Sequence, residues 1–569
     1  MRAHAEPGAG RRSRSRAHVV CASLLLSLAP AADLDAQGLR GTITEVLSGR
    51  PVAGAIVALL DSAGTTLVRG LSDGAGLYRI PFAPSAHRLR VIRIGFHPFE
   101  APVAAGAGVD ATYDVRLEPL PSLLAPIIVR ANPGCPRRSD TERAFGLWTQ
   151  ARAALLATVV AREATPAEKR RIRYEQVFSG GAKEEVTRHT VRLSTESDSL
   201  GSFFAARSAG DFVRQGFMEA QNGQRTFFGP DAEVLLDDEF LLSYCLRLAR
   251  PDAARADLAG LAFVPVKARR GIIDIDGVVW IDTIARSLRE IAFRYRDLGR
   301  GTARFRPGGS ISFLEMSNGV VLIDRWEFRL VGAQVSSRSR PVGLALSSLL
   351  YLDLTGGQLA RASWPDGTVW QASLGTLRGR LILRDGRPAA GVPIALDDTD
   401  YEATTDSTGS FAITDLVAGP YVMILPEPRI ESLGLRIPLG VRFTAVRDST
   451  QYAALAVPTL EEYVADRCEA SKQLAAGDST YLLGRVFRDD GAPAGGLRVS
   501  FSVLAGSGEW ETLPTHFLTG PSGVFQSCGT RYVPGNLVRV TVRQKDGTTT
   551  AVEHTITSRM SVVRVVIPE

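Results

Sequence analysis

The chain has 569 residues, of which 45% are apolar and 22% charged, and at roughly 100–200 residues per domain it is long enough for several domains, each with its own core. Its formal net charge of +6 is spread along the whole length without interleaved aromatic residues, which argues against a dedicated nucleic-acid surface. The 55 glycines and 31 prolines are dispersed, as is typical of a turn-rich β protein.

The first 36 residues predict an export signal. Several arginines precede an apolar stretch, VVCASLLLSLA at 19–29, which is too short to span a bilayer and leads into small residues. We expect cleavage after Ala36 or Ala32. No later apolar run reaches 18 residues, so we predict a mature chain without a transmembrane span. Such a chain is exported, and the sequence leaves open whether it is periplasmic, associated with the outer membrane or secreted.

One pattern occurs three times in the chain. It comprises a glycine, an alternating apolar run, a polar turn, a Pro-x-x-Gly element and a second alternating run. The three copies are GTITEVLSGRPVAGAIVALL from Gly41, GRLILRDGRPAAGVPIALD from Gly379 and GRVFRDDGAPAGGLRVSFSV from Gly484. Period-two alternation predicts half-buried strands, and Pro-x-x-Gly predicts the turn between them.

A second turn follows each copy and ends in an aromatic residue. The turns are Asp73 to Gly76 before Tyr78, Asp406 to Gly409 before Phe411, and Gly520 to Gly523 before Phe525. We expect the aromatic side chain to point into the core. Each unit is therefore predicted to be a small antiparallel β-sandwich.

These motifs resemble the carboxypeptidase regulatory-like domain, a prealbumin-like β-sandwich of the carbohydrate-binding-like superfold. The resemblance covers 38–118 (module 1), 374–458 (module 2) and, in divergent form because the aspartate is missing, 479–569 (module 3). In that family the module is an accessory of certain metallopeptidases and carries no catalytic residues. The whole chain resembles bacterial envelope proteins that contain this domain.

A metal-ligand pattern lies inside module 1. His97 and Glu100 form H-x-x-E, the spacing with which zinc carboxypeptidases provide two ligands. A peptidase also needs rigid ligands, a further histidine and a general base. The remaining histidines lie in no such context, so we interpret the pair as part of a loop of the repeat.

The segment after module 1 predicts a different kind of domain. Residues 119–134 are rich in proline and predict a linker, and from Thr141 an apolar stripe of Phe145, Trp148, Ala151, Leu155 and Val159 predicts an amphipathic helix. Alternating strands follow, the last of them RTFFGPDAEVLL at 225–236, and then a short helix, DDEFLLSYCLRLAR, that carries Cys245.

Two predicted hairpins, with turns at Asp276-Gly277 and Asn318-Gly319, complete the domain. The order GVVWID…SLREIAFRY with one helix against a sheet resembles the half-barrel family of periplasmic lipoprotein carriers. We assign 135–360 to this α+β half-barrel-like domain (the middle domain) and 459–478 to a helical linker.

Four cysteines remain after the predicted cleavage. Four can pair in three ways in an oxidising compartment, and none shows C-x-x-C spacing. We predict Cys135–Cys245 and Cys468–Cys528, because each pair would then lie within one structural unit.

Two clusters of carboxylates are candidate sites. DIDGVVWID holds Asp274, Asp276 and Asp282, which we interpret as turn and strand-end residues. LDDTDYEATTD at 396–406 is a candidate calcium loop but lacks the regular ligand spacing, so turn chemistry is the expectation there.

The sequence thus predicts a mainly β protein with three small antiparallel β-sandwich modules and one α+β half-barrel-like domain. We expect no enzyme, no catalytic residues, no metal and no cofactor. The leading hypothesis is an exported envelope protein whose modules bind or scaffold a glycan or protein partner. The alternative is a carrier of a lipid or other apolar ligand in the middle domain. Its pocket would be lined by Trp148, Phe240, Trp280, Phe293 and Trp326.

Overall fold

The computed structural model describes most of the chain beyond the predicted export signal, which itself lies outside the described residues. The described ranges are 38–103, 111–121, 135, 141–164, 167–178, 185–197, 207–221, 224–269, 271–298, 302, 305–340, 343–470, 480–504, 506–529 and 532–568. Most of the predicted linker at 119–134 also lies outside them.

The elements of module 1 and the middle domain follow the chain order. Module 1 has β1 (Gly38–Glu45), β2 (Ile56–Leu60), β3 (Thr66–Leu71), β4 (Leu77–Pro81), β5 (Arg88–Ile92), β6 (Phe99–Pro102), β7 (Ala111–Thr112) and β8 (Val115–Leu117). The middle domain has α1 (Thr141–Ala164), β9 (Glu168–Phe178), β10 (Val186–Ser197), α2 (Ala209–Gln215), β11 (Met218–Gln221), β12 (Gln224–Phe227), α3 (Ala232–Leu236), α4 (Asp238–Ser243), β13 (Tyr244–Leu248), β14 (Leu258–Pro265), β15 (Ile275–Asp282), β16 (Ser287–Tyr295), β17 (Gly308–Glu315), β18 (Val321–Arg340), β19 (Gly343–Ser363) and β20 (Val369–Gln371).

The remaining elements belong to the C-terminal third of the chain. Module 2 has β21 (Gly375–Leu383), β22 (Pro393–Leu396), β23 (Glu402–Thr404), β24 (Ser410–Leu416), β25 (Gly419–Leu425), α5 (Pro428–Glu431), β26 (Ile437–Ala445) and β27 (Thr450–Val457). The linker helix α6 (Leu460–Ala470) precedes module 3, which has β28 (Thr480–Arg488), β29 (Arg498–Leu504), β30 (Trp510–Leu518), β31 (Val524–Gly529), β32 (Leu537–Arg543), β33 (Thr549–Thr555) and β34 (Met560–Ile567).

All three modules are two-sheet sandwiches with the same strand order. The four-stranded sheets are β3-β2-β5-β6, β23-β22-β25-β26 and β30-β29-β32-β33. The opposing sheets centre on the first strand of each module, β1, β21 or β28. The prediction of small β-sandwiches is confirmed, including the divergent third copy. One pairing departs from the antiparallel expectation, because the first and last strands of each module run parallel.

The repeated glycine and the repeated aromatic residue are cross-strand partners. Gly41 pairs with Tyr78, Gly379 with Phe411 and Gly484 with Phe525. A Cβ placed on Gly484 would lie 2.0 Å from the Phe525 ring, and one on Gly379 would lie 2.5 Å from the Phe411 ring. The glycine therefore leaves room for the aromatic ring to cross the partner strand, which explains why the two recur together.

A buried hydroxyl fixes the Pro-x-x-Gly turn in every module. The hydroxyls of Ser72, Thr405 and Thr519 donate to the carbonyl oxygens of residues 52, 389 and 494, and accept from the amides of residues 55, 392 and 497. A hydroxyl that satisfies two buried backbone groups stabilises the turn strongly, because each group left unpaired would be costly. Sequence patterns did not predict this contact, although a serine or threonine stands four residues before the second turn's glycine in all three copies.

The middle domain is built on one broad antiparallel sheet. Its order is β10-β9-β19-β18-β17-β16-β15-β14-β13, and β20 pairs with β19, so the sheet extends past residue 360. The predicted arrangement of a helix on an antiparallel sheet is present, and the sheet is open, with β10 and β13 at its edges.

Three local predictions in the middle domain are wrong. Asp276-Gly277 is no turn but lies inside β15, because β15 pairs with β14 and β16 on both sides. Residues 232–236, expected in a strand, form α3, whose first turn is capped by the Asp231 carboxylate. Cys245 lies on β13 and not on a helix. The turn at Asn318-Gly319 is where the sequence placed it, between β17 and β18.

Helix α1 covers one face of the broad sheet. Leu147 and Leu155 are fully buried in one cluster with Ile291 and Phe328 of the sheet. The helix is long and apolar enough to cross a membrane, and 67% of its apolar stretch is buried inside the protein. Residues of α1 outside the predicted apolar stripe are also buried, because β3 of module 1 and α3 pack against the other sides of the helix.

Module 2 covers part of the opposite face. Leu354 pairs with Arg329, the neighbour of Phe328, so Leu354 and Phe328 lie on opposite faces. Leu354, Ile172 and Tyr174 share one buried cluster with the interior of module 2. Module 2 and the broad sheet therefore have a common hydrophobic core.

Module 1 contacts the middle domain through turn glycines and polar groups, and Ile56 and Ile94 add an apolar contact to the cluster under α1. A Cβ on Gly54, in the Pro-x-x-Gly turn, would lie 2.5 Å from the carbonyl oxygen of Gly319, and one on Gly319 would lie 2.1 Å from the Gly54 nitrogen. Arg93 pairs with Glu315, and the Gly95 amide donates to Oε1 of the buried Gln150 at 2.7 Å. The backbones of the two units thus touch directly.

Module 3 is attached through the linker helix and α5. The Arg485 guanidinium donates to the Leu433 carbonyl at 2.8 Å, and Arg429 donates to the Met560 carbonyl at 3.1 Å. A disulfide joins Cys468 of α6 to Cys528 of β31, and a second joins Cys135 to Cys245. These are the two pairs that the sequence predicted.

The disulfide of the middle domain has a testable energetic role. Cys135→Ser and Cys245→Ser should each destabilise the middle domain by roughly 2–5 kcal/mol, and the double variant should add nothing further. Denaturant unfolding of the three variants measures this. Additive losses would contradict a single shared bond.

The glycine contact between module 1 and the middle domain can be tested against a matched control. Gly54 and Gly391 occupy equivalent turns with φ of +66° and +69°, but nothing lies within 4 Å of a Cβ on Gly391. Gly54→Ala should therefore destabilise more than Gly391→Ala, by about 1–3 kcal/mol, because only Gly54 would collide with a neighbouring backbone.

Hydrogen exchange measured on α1 and β3 shows whether Gly54→Ala weakens the contact between module 1 and the middle domain. Gly319→Ala combined with Gly54→Ala should be strongly non-additive, since both remove the same contact. Equal losses for Gly54→Ala and Gly391→Ala would show that only turn strain matters.

Candidate functional site

The H-x-x-E pair of module 1 is not assembled into a metal site. Glu100 lies on β6, opposite Arg90 of β5, and its carboxylate is 3.2 Å from the Arg90 guanidinium. His97 is exposed in the preceding loop, where its amide donates to the Glu118 carbonyl. Among the residues that the structure describes, no group of three or more His, Cys, Asp or Glu side chains lies close enough to hold a metal ion.

The carboxylates of the first acidic cluster do not converge on one point, and each has different partners. Asp274 is buried, accepts a hydrogen bond from Tyr244 and pairs with Arg269 at 2.7 Å. Asp276 pairs with Arg294 at 3.0 Å. Asp282 accepts from the amides of residues 284 and 285 and thereby closes the turn after β15. Each carboxylate thus has a structural partner of its own.

The five aromatic residues of the predicted apolar pocket do not all meet. Trp148, Phe240, Phe293 and Trp326 belong to the single buried cluster under α1. Trp280 lies on the other face of the sheet, where the Arg255 guanidinium stands 5.3 Å from the centre of its ring. The residues on either side of it, 279 and 281, belong to the cluster under α1, and alternation along β15 turns Trp280 away.

The four clustered aromatics are packed as core side chains. The Trp326 and Phe328 rings lie 5.4 Å apart, and those of Phe293 and Phe328 lie 5.7 Å apart. Helix α1 fills the space in which the carrier hypothesis places a ligand. The apolar-ligand hypothesis stays a prediction that these contacts do not favour.

A site that the sequence did not indicate lies where module 2 meets the edge strand β10. The loop between β22 and β23 bonds to this edge like a short added strand. The Val191 amide donates to the Asp398 carbonyl at 3.2 Å, and the Asp400 amide donates back to Val191 at 3.1 Å. Asp398 adopts a left-handed conformation with φ of +57°, which aspartate tolerates better than most residues. The second acidic cluster thus forms a turn and also holds module 2 on the sheet.

Next to this contact is a cavity of about 320 Å³. It lies between the first residues of β10 and the β25–β26 hairpin of module 2. His189 of β10 lines it and is only 7% exposed. Its imidazole meets the Tyr421 ring edge-on with ring centres 4.8 Å apart, and neither of its nitrogens has a hydrogen-bond partner.

The packing around His189 depends on a glycine of module 2. A Cβ on Gly419 would lie 2.7 Å from the imidazole, so a side chain there would displace it. Burial lowers the pKa of His189 to about 4, which keeps the imidazole neutral at physiological pH. Sequence motifs gave no sign of this site, because His189 and Tyr421 are more than 200 residues apart.

Charged residues of both signs stand around the cavity. Arg442, Asp397 and Asp398 are among its lining residues, whereas alternation along β10 turns the Arg188 side chain to the face opposite His189. Asp397 is also 3.5 Å from Arg436. The site therefore combines a neutral buried imidazole with lining residues of both charge signs.

The sandwich of module 1 can be compared with known domain families. Residues 38–118 match the model of the carboxypeptidase regulatory-like domain. Module 1 is a carboxypeptidase regulatory-like domain. This confirms the resemblance that its Pro-x-x-Gly and Asp-x-x-Gly motifs indicated. No curated protein is significantly similar to the sequence of the chain.

Solved structures of other proteins match parts of the chain that carries this regulatory-like domain. The Bacillus anthracis TIE protein is 9% identical over 61% of this chain, at a TM-score of 0.14, and the chain spans 63% of its length. The Streptococcal ancillary pilin is 11% identical over 46% of this chain and 80% of its own, with the same TM-score of 0.14. The minor pilin GBS52 of Streptococcus agalactiae is 15% identical over 34% of this chain and 94% of its own, at a TM-score of 0.13.

The buried imidazole predicts a dependence of stability on pH. Because the pKa of His189 falls from 6.5 to about 4 on folding, the unfolded chain binds more protons than the folded chain between these values. Stability should thus be full above about pH 6.5 and fall as the pH drops towards 4, by at most about 3 kcal/mol.

His189→Phe keeps an aromatic ring and should remove this part of the acid sensitivity. Hydrogen exchange of β10 and β25 between pH 4 and 7 measures the loosening of the interface itself. The exposed His97→Asn is the matched control and should behave as wild type. Burial also lowers the pKa of His554 in module 3. Because His554 is present in every variant, its contribution cancels when the pH profile of a variant is compared with that of the wild type. An unchanged pH profile in His189→Phe would refute the assignment.

Proposed function

We propose that this protein is a non-catalytic scaffold of the bacterial cell envelope. Three β-sandwich modules, two of which share buried clusters with the middle domain, would present loops and sheet edges to a protein or glycan partner. The observation that carries this proposal is the sharing of hydrophobic cores. Module 2 and the sheet bury side chains in one cluster, and Ile56 and Ile94 of module 1 join the cluster under α1. Units that share a core keep a fixed geometry, whereas separate domains move.

The absence of catalytic function in the proposal rests on the kind of domain involved. Module 1 is a regulatory-like domain, and the other two modules repeat its strand order. Of the residues that the sequence offered for chemistry, Glu100 pairs with Arg90, the carboxylates of the first acidic cluster have structural partners, and His97 is an exposed loop residue. Location in the envelope is supported by the predicted export signal and by two disulfides, which persist in oxidising compartments.

Photo-crosslinking on the full mature chain tests the scaffold proposal. A crosslinkable residue is placed at one exposed apolar position in each module, and one control is placed in the middle domain. The module positions are Leu47, Tyr452 and Leu518, which are 82%, 79% and 69% exposed, and the control is Leu242, which is 70% exposed.

We expect one defined protein adduct, or one glycan class on an array, that depends on module positions and not on Leu242. Small-angle scattering should at the same time give a single rigid shape, which Gly54→Ala loosens. No adduct and no glycan at any module would refute the binding function. Independent motion of modules 1 and 2 would refute the scaffold.

A further inference from the structure

The three-stranded sheet of module 3, β31-β28-β34, is covered on its outer face by a helical segment of the same chain. Tyr481 and Leu483 of β28 are buried there in one cluster with Val464 of α6. Arg485, two residues further along the same face, donates to the Leu433 carbonyl just after α5 at 2.8 Å. This face of a module can therefore hold a helical segment through an apolar contact and an arginine.

Module 2 contains the same sheet, β24-β21-β27, and its outer face is exposed. Arg378 and Arg380 lie on the central strand β21, and Arg378 pairs with Ala412 on one side and Tyr452 on the other. All four residues are exposed, and Tyr452 is 79% exposed. Leu381 is buried in the core of the module, so alternation along β21 turns both arginines outward.

The second arginine of this face is held in the same way in both modules. Nε of Arg380 donates to the Thr408 carbonyl at 2.9 Å, and Nε of Arg485 donates to the Ser522 carbonyl at 2.8 Å. In module 3 the remaining nitrogens of the guanidinium reach the segment after α5. In module 2 they meet no acceptor among the residues that the structure describes. Module 2 thus presents the same oriented donor without the segment that accepts from it.

The charge of the exposed face indicates which partner it fits. The outward residues of β24 and β27 are serine, threonine, alanine and tyrosine, so Arg378 and Arg380 are not opposed on the face itself. Asp406, in the turn before β24, accepts from the amides of residues 408 and 410 at 2.8 and 2.9 Å and is held in that turn. Carboxylates form strong, often two-pronged, hydrogen bonds with guanidinium groups, so the face favours an acidic partner.

The chain itself contains an acidic helix against the equivalent face. Helix α6 carries four carboxylates and one arginine, and its Val464 packs on module 3. Asp466 of α6 accepts from Arg384, the residue after β21, at 3.2 Å. An acidic helix therefore satisfies both an apolar sheet face and an arginine near it. Because α6 is already packed against module 3, the α6 of a second copy is not free to cover module 2.

We propose that the outer face of β24-β21-β27 binds an acidic amphipathic helix of a partner protein. Its carboxylates would pair with Arg378 and Arg380, and its apolar side would pack on Tyr452. The alanines beside Tyr452, Ala412 and Ala454, are small enough for a helix to approach the sheet closely. The inference rests on the proposed scaffold function and names the face and the chemistry of a protein partner.

Helical peptides of equal length test the proposal on the full mature chain. The probe has about 20 residues, with glutamates along one side and leucine and alanine along the other. Two counterparts carry glutamine or lysine in place of every glutamate. In fluorescence anisotropy the glutamate peptide should bind, the glutamine peptide should bind at least fivefold more weakly, and the lysine peptide should not bind. Affinity for the glutamate peptide should fall as the salt concentration rises, because exposed charges are screened.

Variants then place the peptide on the face. The double variant Arg378→Gln with Arg380→Gln should weaken binding at least fivefold, and so should Tyr452→Ser, which removes the apolar contact but no charge. Arg40→Gln is the matched control and should bind like wild type, because Arg40 stands before the repeated glycine of module 1 as Arg378 does in module 2. No binding of the glutamate peptide, equal binding of the lysine peptide, or unchanged binding by the double variant would each overturn the proposal.

The crosslinkable residue at position 452 identifies the natural occupant and separates this inference from the scaffold proposal. We expect an adduct with an acidic helical segment of a different protein. An adduct with a second copy of this chain, with a glycan or with a segment free of acidic residues would overturn the inference. Crosslinks from Leu47 or Leu518 without peptide binding would refute this face and leave the scaffold standing. Peptide binding that the variants weaken, in a chain whose modules move independently, would support the face and refute the rigid scaffold.

Discussion

The need to cover both faces of one broad sheet governs the architecture. The sheet of the middle domain has apolar side chains on both faces. Because alternate residues of a strand point to opposite faces, each face needs a cover of its own. Helix α1 with α3 and module 1 covers one face, and module 2 covers part of the other. Neither cover is separable without exposing a hydrophobic surface. Modules 1 and 2 therefore share buried side chains with the middle domain, whereas module 3 is joined through α5, α6 and a disulfide.

The three modules share a backbone plan but have different neighbours. The plan is fixed by the glycine that admits an aromatic ring and by the hydroxyl that closes the Pro-x-x-Gly turn. The three copies differ in the contacts that each makes with other parts of the chain. In module 1 the turn touches Gly319, whereas the same turns of modules 2 and 3, at Gly391 and Gly496, have open space around them. In module 2 the second loop bonds to β10, and module 3 relies on a disulfide and a linker helix.

Local patterns predicted the modules well because their turns and alternation are encoded within each copy. They failed where a distant partner decides the conformation. Asp276-Gly277 has the sequence of a hairpin turn, but strands on both sides hold it extended, and Gly277 leaves room for the Phe263 ring. The alternation of residues around Leu354 predicts a strand with two distinct faces. It does not indicate which part of the chain covers each face. The burial of His189 likewise depends on contacts with Tyr421 and Gly419, which lie too far along the sequence for any local pattern to include them.

The parallel pairing of first and last strands matters when the protein is pulled. In modules 2 and 3 these two strands run side by side over eight residue pairs each, β21 with β27 and β28 with β34. Tension on the chain at the two ends of such a module draws the strands past each other, so all the hydrogen bonds between them are loaded together in shear. An antiparallel pair pulled from one end would open one bond at a time. In module 1 the equivalent contact is split between the short strands β7 and β8. Mechanical strength should therefore be concentrated in the C-terminal half of the molecule, and module 1 should yield first under force.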